Sequence, residues 1–409
     1  MPKIAVVTSE FPIRDEPYRG SPVYQTVLAL QRLAEVEIEV FCLVSTYPRW
    51  RLLHPRKFYF RRPDPGYSPP NVRVRYIEYP AFPLLSRPIN GHTITHRLQR
   101  YLENIRPDLV LSYWIYPDGY GALLAAEKLG VPGIVGSRGF DLSRIPDPFT
   151  RHLVKKTLKK ASFTLTVSEE LRQRAILLGA PPERTRTIHN GCDPEVFHLS
   201  DRSSARSDLG VRADSHLVLY VGRVDRLKGV QELLDAVARL VPNDPHLEVA
   251  FIGEGPMVEI LRKECSQQGF GDHVRFLGVR TPAETSRWIA ASNLLCLPSY
   301  SEGCPNVIIE ALSCGRAVVA SDVGGIPELV NSSCGILVPP RDAAQLAEAL
   351  QEALHKLWDE SGIASRFSRT WDDVAAETYN ICKSLIEKRT PAETHRSLES
   401  SSGTLVGRK

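Results

Sequence analysis

Residues 216–229 read H-L-V-L-Y-V-G-R-V-D-R-L-K-G. The apolar run 216–221 predicts a buried β-strand, and the amphipathic segment 229–240 predicts a helix directly after the loop. Gly222 permits a sharp turn where the strand ends. A strand, a glycine-containing turn and a helix in this order form the unit from which parallel α/β sheets are built.

Short apolar runs alternate with helix-length amphipathic segments along the rest of the chain. In the first half, predicted strands lie at 3–8, 37–44, 108–112, 133–137 and 163–167, with helices near 22–34, 92–104, 118–129 and 168–178. In the second half, further strands follow at 247–252, 274–277, 293–297, 317–321 and 335–338. Two such sets predict an α/β fold of two doubly wound domains, each with a parallel sheet covered by helices on both faces.

A polar Ser/Arg-rich segment near 198–213 separates the two sets of strands, which is typical of a domain boundary. We therefore predict an N-terminal domain over 1–198 and a C-terminal domain over 199–370. A helix is predicted over 371–389, whereas residues 390–409 lack periodicity and are expected to form a disordered tail. Because ligands of such sheets bind at the carboxyl ends of the strands, the predicted site lies in the cleft between the domains.

The two halves of the chain differ in charge. Residues 1–195 contain 28 Lys and Arg against 19 Asp and Glu, a net charge of +9, whereas the remainder contains 23 against 28, a net charge of −5. A basic N-terminal half indicates an anionic partner, which could be a membrane surface, a phosphate-bearing substrate or nucleic acid. No recognised motif supports nucleic acid.

Two basic features of this half favour the membrane. The segment 48–63 combines six Lys and Arg with aromatic and leucine side chains, which suits a membrane interface or a lipid-pyrophosphate acceptor. A second cluster repeats at helical spacing and consists of Arg151, Lys155, Lys156, Lys159 and Lys160. The cluster alone is typical of a solvated face, but the two features together predict peripheral contact with an anionic membrane.

Several classes of protein are excluded by the sequence. No apolar run reaches the roughly 18 residues that a membrane-spanning helix needs, and the apolar core near the N-terminus is too short for a signal peptide. We therefore expect a cytoplasmic protein, peripheral on the inner face of the plasma membrane. The eight cysteines show neither a C-x-x-C pair nor zinc-binding spacing, so we interpret them as buried thiols. No P-loop, dinucleotide fingerprint, G-x-S-x-G or H-E-x-x-H motif is present.

Two positions carry phosphate-binding chemistry. Arg223 offers a planar fork for phosphate oxygens and Lys228 a mobile point charge, both at the carboxyl end of a predicted strand. Together they could hold a pyrophosphate and stabilise the charge that grows on it as a leaving group; the alternative is two solvated cations on a turn. After the first strand, Gly20 would let a phosphate approach the backbone, with Ser21 as the N-cap of the next helix.

A set of motifs follows in a fixed order: T-V-S-E-E-L (166–171), I-H-N-G-C-D-P-E-V-F (188–197), G-R-V-D-R-L-K-G (222–229), F-I-G-E-G-P (251–256), E-G-C-P-N-V-I-I-E-A-L (302–312) and V-G-G-I-P-E-L-V (323–330). On these motifs the sequence resembles the retaining family 4 glycosyltransferases, among them those of bacterial cell-surface polysaccharide and teichuronic acid synthesis. The resemblance implies a GT-B fold, in which two Rossmann-like domains face a cleft and a C-terminal helix crosses back to the N-terminal domain. It also implies transfer of a sugar from a nucleotide diphosphate sugar, with retention at the anomeric carbon and without a metal ion or cofactor.

The family's roles carry over where the residues match. Arg223 and Lys228 would grip the donor diphosphate. Glu302 would lie beside the donor sugar and the reacting centre, and Glu310 would accept hydrogen bonds from the ribose. A glycine and a proline after the first glutamate predict that it lies on a loop and the second on the following helix. The other donor contacts that the resemblance implies are Gly20, Gly222, Gly253, Val279, Gly303, Pro305, Asn306 and Val307.

One position departs from the family pattern. Many relatives carry a histidine where this chain has Arg138, in G-S-R-G-F-D-L over 136–142. A cation there could assist catalysis by binding a phosphate or the sugar, but it could not easily act as a base. Asp141 could orient Arg138 or an acceptor hydroxyl; alternatively the two side chains pair and brace the loop. The candidate residues of the acceptor side are Asp118, Arg138 and Asp141.

The sequence predicts the reaction more closely than it predicts the substrates. A UDP-sugar is expected rather than a GDP-sugar, although no residue selects the base, and the acceptor is expected to be a glycan or a lipid-pyrophosphate-linked saccharide. The alternative function is a catalytically impaired GT-B protein that binds a nucleotide sugar or acts as a scaffold. Against it stand the intact Arg223, Lys228, Glu302 and Glu310. A sugar-nucleotide epimerase is a third alternative, without motif support.

Overall fold

The structure, a computed structural model, describes residues 1–33, 35–46, 66–81 and 86–399 of the chain. The basic segment 48–63 therefore lies outside the described residues. The chain divides into two units. Unit 1 comprises the described residues of Met1–Thr166, Arg172–Ile188 and Asp372–Lys409, and unit 2 comprises Val167–Leu171 and His189–Trp371.

Unit 1 is built on a parallel sheet. Its strands are β1 (Lys3–Thr8), β2 (Glu37–Thr46), β3 (Val74–Pro80), β4 (Leu109–Tyr113), β5 (Gly133–Ser137), β6 (Phe163–Thr166) and β7 (Thr185–Thr187), in the order β3-β2-β1-β4-β5-β6-β7. The helices of this part of the chain are α1 (Ser21–Arg32), α2 (Asn90–Ile105), α3 (Tyr120–Lys128), α4 (Phe140–Ser143), α5 (Pro148–Lys160) and α6 (Glu169–Leu177). One hydrophobic core joins the sheet to α2 and α3 and includes Val7, Phe41, Ile94, Leu98 and Ala122.

Unit 2 repeats this architecture. Its strands are β8 (His216–Val221), β9 (Leu247–Ile252), β10 (Val274–Gly278), β11 (Leu294–Leu297), β12 (Ala317–Ser321) and β13 (Gly335–Val338), in the order β10-β9-β8-β11-β12-β13. The helices are α7 (Arg202–Leu209), α8 (Val230–Leu240), α9 (Val258–Gln267), α10 (Pro282–Ala291), α11 (Asn306–Ser313), α12 (Ala343–His355) and α13 (Glu360–Arg366). The last helix of the chain is α14 (Trp371–Glu399).

Both sheets are doubly wound, so the predicted α/β fold of two Rossmann-like domains is confirmed. The strand pairs of both sheets are parallel, and every residue of β4, β5, β9 and β12 is buried, as expected for strands covered on both faces. The strand order reverses between β1 and β4 in unit 1 and between β8 and β11 in unit 2. At such a reversal the carboxyl ends of the strands border a crevice where α/β proteins bind ligands.

The boundary between the units differs from the predicted one after residue 198. The long segment of unit 2 begins at His189. The reason is local, because the side-chain amide of Asn190 donates hydrogen bonds to the carbonyl oxygen of Cys304 (3.1 Å) and to Oδ1 of Asn306 (2.7 Å). These bonds join the segment that begins at His189 to unit 2. The segment precedes the polar stretch 198–213, where the sequence predicted the boundary.

The C-terminal helix is longer than predicted. Helix α14 continues through residues 390–399, which the sequence analysis assigned to a disordered tail, while 400–409 lie outside the described residues. Extending an existing helix needs no new nucleation, and this segment contains Ala, Glu, Arg and Leu, which are strong helix formers. The helix belongs to unit 1, where Asp372 accepts a hydrogen bond from Nη2 of Arg32 (2.6 Å).

Candidate active site

The loops after β8, β9, β11 and β12 pack backbone against backbone at the carboxyl edge of the sheet of unit 2. A Cβ atom on Gly253 would lie 1.9 Å from the carbonyl oxygen of Gly222, and one on Gly324 would lie 1.9 Å from that of Glu302. Such distances leave no room for any side chain, so glycine is required where these loops cross. The N–H of Gly253 also donates to the carbonyl oxygen of Gly278 (2.9 Å), directly before Val279.

Lys228 and Glu302 form an ion pair between two of these loops. Nζ of Lys228 lies 2.5 Å from Oε1 of Glu302, whose side chain is only 9% exposed. Lys228 ends a short 3₁₀ turn that Asp225 caps by accepting a hydrogen bond from the N–H of Leu227 (2.9 Å). The pair therefore presents a positive and a negative group side by side at the carboxyl ends of β8 and β11.

Arg223 lies at the start of the same loop, and half of its side chain is exposed. Its Nε is 3.1 Å from Oδ2 of Asp225, and its carbonyl oxygen accepts a hydrogen bond from the hydroxyl of Tyr220 (2.7 Å). The second bond ties the loop to β8. The guanidinium can therefore reach a phosphate at the surface of unit 2 without a change in the loop.

Helix α11 begins at Asn306, directly after the loop that carries Glu302. Pro305 occupies the N-cap position and provides no side-chain hydrogen bond, so the N-cap residue leaves the backbone N–H groups of Asn306 and Val307 uncapped. An uncapped N-terminus with its helix dipole favours an anion. The predicted break between the two glutamates is confirmed, because Glu302 lies on the loop and Glu310 on the helix.

Glu310 lies in the second turn of α11 and is half-buried. Its carboxyl group receives no hydrogen bond and forms no ion pair within the described part of the chain. Burial raises the pKa of this carboxyl group to about 7. A hydrogen-bond donor brought by a ligand would favour the ionised form and bind more tightly to it.

The donor residues predicted from the sequence, apart from Gly20, all lie at this edge of unit 2: Gly222, Arg223, Lys228, Gly253, Val279, Glu302, Gly303, Pro305, Asn306, Val307 and Glu310. Asn190, which lies in the I-H-N-G motif, was not predicted as a site residue. Its bonds to Cys304 and Asn306 fix the start of α11. The motif identified this segment, but its residues did not indicate that Asn190 would form a hydrogen bond with Asn306.

Gly20 belongs to unit 1, where it precedes α1. Its backbone is left-handed, with φ of 60°, and a Cβ atom on it would lie 2.2 Å from the carbonyl oxygen of Glu10. Gly20 itself occupies the N-cap position and Ser21 is the first helical residue, so the prediction of Ser21 as N-cap is wrong. Because glycine has no side chain, α1 also begins without a side-chain cap.

Unit 1 contains a cavity of about 400 Å³ at the carboxyl ends of its central strands. Of the predicted acceptor-side residues, Asp118 and Asp141 line this cavity, whereas Arg138 is not among its lining residues. Other polar and aromatic side chains that line the cavity were not predicted from the sequence; they include Glu10, Arg19, Tyr79, Arg87, Asn90, Trp114 and Tyr116. The position of Glu10 just beyond the first strand was a usable signal, because ligands bind at strand ends.

The two aspartates of the cavity are buried. Burial raises the pKa of Asp118 to about 7, against hydrogen bonds from Ser9 that lower it, and the carboxyl groups of Glu10 and Asp141 raise it further. Oδ2 of Asp118 accepts a hydrogen bond from the N–H of Ser9 (2.6 Å). Burial also raises the pKa of Asp141, although that carboxyl group accepts three hydrogen bonds. Both aspartates therefore favour the neutral form more than an exposed aspartate does.

Arg138 contacts the framework of unit 1. Its guanidinium carbon lies 4.4 Å from the centre of the Tyr113 ring, and Nη2 donates to Oγ1 of Thr26 on α1 (3.3 Å). The hydrogen bonds of Asp141 come from Oγ of Ser137 (2.7 Å) and from the N–H groups of Gly139 (3.2 Å) and Ile115 (3.0 Å). The predicted pairing of Arg138 with Asp141, whether to orient the arginine or to brace the loop, is therefore wrong.

The second basic cluster lies on α5, as its spacing predicted. Four of its cations are exposed, and Lys160 pairs with Glu127. Phe149, in the first turn of the same helix, is 53% exposed. No helix within the described ranges is long and apolar enough to cross a bilayer. In the same ranges, no group of three or more His, Cys, Asp and Glu side chains is arranged to hold a metal ion.

Two family models match the chain. The model described as "Glycosyl transferase 4-like domain" matches residues 20–191, and the model described as "Glycosyl transferases group 1" matches residues 215–356. The first match covers β2 to β7, and the second covers β8 to β13.

Curated relatives extend the similarity over most of the chain. A protein of Streptomyces bingchenggensis named D-inositol 3-phosphate glycosyltransferase is 31% identical over 406 residues, which cover 88% of this chain and 84% of the relative. A Bacillus subtilis protein named putative teichuronic acid biosynthesis glycosyltransferase TuaC is 27% identical, over 87% of this chain and 90% of the relative. Among solved structures, Anabaena Alr3699/HepE in complex with UDP superposes with a TM-score of 0.71 at 19% identity, over 94% of this chain and 100% of that one.

Proposed function

This chain belongs to the family 4 glycosyltransferases, and we propose that it transfers a sugar from a UDP-sugar to a glycan or lipid-linked acceptor of the cell envelope, with retention and without a metal ion. The observation that carries the proposal is the ion pair of Lys228 and Glu302, 2.5 Å apart at the strand ends of unit 2. The structural relative Alr3699/HepE was solved with UDP, which supports uracil as the nucleobase of the donor.

In the proposed reaction, Lys228 and Arg223 bind the donor diphosphate and stabilise the negative charge that grows on it. The uncapped N–H groups at the start of α11 bind the same anion. Glu302 accepts hydrogen bonds from hydroxyls of the donor sugar next to the reacting carbon. The bond from the anomeric carbon to the phosphate oxygen breaks while the bond to the acceptor oxygen forms on the same face. The acceptor proton passes to the departing phosphate.

Glu310 is proposed to accept hydrogen bonds from the ribose. Its carboxyl group lacks a partner within the described residues, and its raised pKa means that an incoming hydroxyl donor would stabilise the ionised form. Gly253 and Val279 are proposed to border the base, because their loops lie beside each other at the edge of the sheet.

The acceptor is proposed to be part of a cell-surface polymer, assembled by an enzyme that is peripheral on the inner face of the plasma membrane. Support comes from a relative named for teichuronic acid biosynthesis and from the exposed cations of α5 beside Phe149. Basic residues combined with an exposed aromatic side chain are typical of surfaces that contact anionic lipids.

The test is transfer from a panel of UDP- and GDP-sugars, with and without a metal chelator, together with calorimetric binding of UDP. Lys228→Ala should weaken UDP binding by about tenfold to a hundredfold, because it removes a charged hydrogen-bond donor to the diphosphate. Arg226→Ala is the matched control, because it removes an exposed cation from the same turn.

Several results would contradict the proposal. Equal UDP affinity of Lys228→Ala and the parent chain would reject the donor site. Tighter binding of GDP than of UDP would reject uracil as the nucleobase of the donor. Loss of transfer in the chelator would reject metal independence, and UDP binding without any turnover would favour an impaired binding protein.

A further inference from the structure

The loops of unit 2 that carry Lys228 and Glu302 are tied to each other through Tyr300. The N–H of Tyr300 donates to the carbonyl oxygen of Leu227 (2.9 Å), which directly precedes Lys228. Tyr300 itself lies two residues before Glu302. One residue of the loop after β11 therefore holds the backbone beside both members of the ion pair.

The same two loops cross with no space between their backbones. A Cβ atom on Gly229, which follows Lys228, would lie 1.9 Å from the carbonyl oxygen of Pro298, which lies just before Tyr300 in the chain. Closely packed groups transmit a displacement because no void can absorb it. A shift of the loop after β11 would therefore move the turn that carries Lys228.

The far end of the Tyr300 side chain is held by a carboxylate of helix α8. The tyrosine hydroxyl donates a hydrogen bond to Oε1 of Glu232, in the first turn of that helix. Oε2 of the same carboxyl group is buried and accepts no hydrogen bond within the described residues. Buried polar groups are nearly always hydrogen-bonded, and loss of the tyrosine hydroxyl would leave this one without its hydrogen bond.

The ring of Tyr300 is in contact with a cation from a third element. The guanidinium carbon of Arg341, on the loop after β13, lies 4.5 Å from the centre of the ring. The ring also borders a cavity of about 370 Å³. Because neighbouring side chains do not fill this space, the hydroxyl bond and the cation–π contact fix the ring more than close packing does.

The hydroxyl of Tyr300 acts as a fixed donor and not as an acid or a base. Burial raises its pKa to about 12, and the hydrogen bond to Glu232 and the charge of that carboxylate raise it further. The hydroxyl therefore keeps its proton over the physiological pH range. Its contribution is geometric, because its charge does not change.

We infer that Tyr300 is a positioning residue of the donor site. Glu232 and Arg341 fix its side chain, and its backbone in turn keeps Lys228 beside Glu302. A displacement of about 1 Å in a reacting site can cost about a hundredfold in rate, so a residue that touches no substrate can control donor binding and turnover. The inference rests on the proposed function, since the ion pair is proposed to bind the donor.

The experiment measures calorimetric binding of UDP to variants of the full chain. Tyr300→Phe removes the hydroxyl but keeps the ring and the backbone N–H. Glu232→Leu removes the acceptor of the hydroxyl bond, whereas Glu232→Gln keeps a carbonyl oxygen that can accept it. Ser286→Ala is the matched control, because the hydroxyl of Ser286 donates to the carbonyl oxygen of Val196 (2.6 Å) and its loss also removes one hydrogen bond from unit 2.

We expect UDP affinity to fall about tenfold in Tyr300→Phe and in Glu232→Leu. It should change less than about twofold in Glu232→Gln and in Ser286→Ala. When Lys228→Ala is already present, adding Tyr300→Phe should change UDP affinity less than about twofold, because both substitutions act on the same contact. The two Glu232 variants keep the test valid where Tyr300→Phe fails to fold.

The inference is overturned if Tyr300→Phe and Glu232→Leu bind UDP as tightly as the parent chain. An equal loss of affinity in Glu232→Gln or in Ser286→Ala would also overturn it. So would a loss from Tyr300→Phe that is the same with and without Lys228, since the hydroxyl would then have a merely structural role. These outcomes leave the proposed function standing as long as the parent chain binds UDP and transfers a sugar. Failure of the parent chain to bind UDP would instead reject the proposed function itself.

Discussion

The stability of Asp118→Asn relative to the parent chain should increase with pH. Asp118 has a pKa of about 7 in the folded chain, against 3.8 for an ordinary aspartate. The folded state therefore keeps a proton that the unfolded chain releases, and the parent protein loses stability as pH rises from about 4 to 7. Below pH 4 the loss is absent, and above pH 7 it is constant.

The size of the effect follows from the two pKa values. Each pH unit between them costs the folded state 1.36 kcal/mol, so the parent chain should lose about 2.7 kcal/mol between pH 5 and pH 7. Asparagine does not ionise, and the variant avoids this loss. Its amide N–H₂ group has a cost of its own in the cavity, but that cost does not vary with pH and cancels in the comparison.

The assay is thermal unfolding of the parent chain and Asp118→Asn at pH 5 and pH 8. A difference of about 2.7 kcal/mol corresponds to about 5–11 °C for a unit of this size. The midpoint of the variant minus that of the parent should therefore be more positive at pH 8 by this amount. Glu103→Gln, an exposed control, should show no such difference. Equal shifts at both pH values would refute a raised pKa for Asp118.

Three further predictions concern unit 2. Gly253→Ala should abolish UDP binding, because its Cβ atom would meet the carbonyl oxygen of Gly222 at 1.9 Å; Gly269→Ala, with a positive φ but open space around it, is the control, and calorimetry showing equal affinities would contradict the crowding argument. Glu302→Gln should lower kcat about tenfold or more while the Kd for the transferred UDP-sugar changes less than about threefold, since the carboxylate is proposed to act beside the reacting carbon; equal changes in steady-state and binding measurements would assign it to donor binding alone. UDP affinity should rise about tenfold from pH 6 to pH 8, because the carboxyl group of Glu310 ionises with a pKa of about 7 and the ribose is proposed to donate to the ionised form; Glu310→Gln should remove this dependence, and a flat parent profile would exclude that contact.

The donor side of the molecule was predictable because short stretches of sequence determine it. The strand 216–221 and the helix after the Gly222 loop agree with the structure to within one residue, and the helix start after Glu302 follows from a glycine and a proline. Each of these features depends on neighbours in sequence. Local patterning therefore predicted the sheet of unit 2, its edge that carries the predicted donor residues, and five of the seven strands of unit 1; it missed β3 and β7.

The cavity of unit 1 was not predictable in the same way. Arg87 precedes α2 and Asn90 begins it, and both line the same cavity as Asp118 only through tertiary packing, so no spacing in the sequence indicates that they share a site. The raised pKa of Asp118 results from burial, which a single sequence does not record. The pairing expected for Arg138 and Asp141 failed for a related reason. The carboxylate of Asp141 instead accepts hydrogen bonds from the backbone N–H groups of Ile115 and Gly139, and such bonds have no sequence signature.

The position of Arg138 bears on the route of the acceptor proton. A guanidinium keeps its proton at any physiological pH, and this one contacts Tyr113 and Thr26, so it cannot act as a base. Asp118 has a pKa of about 7, but its carboxyl group is fully buried and accepts a hydrogen bond from the N–H of Ser9. The departing phosphate remains as a proton acceptor that forms in the reaction itself. The proposed retaining mechanism therefore does not require a base from unit 1.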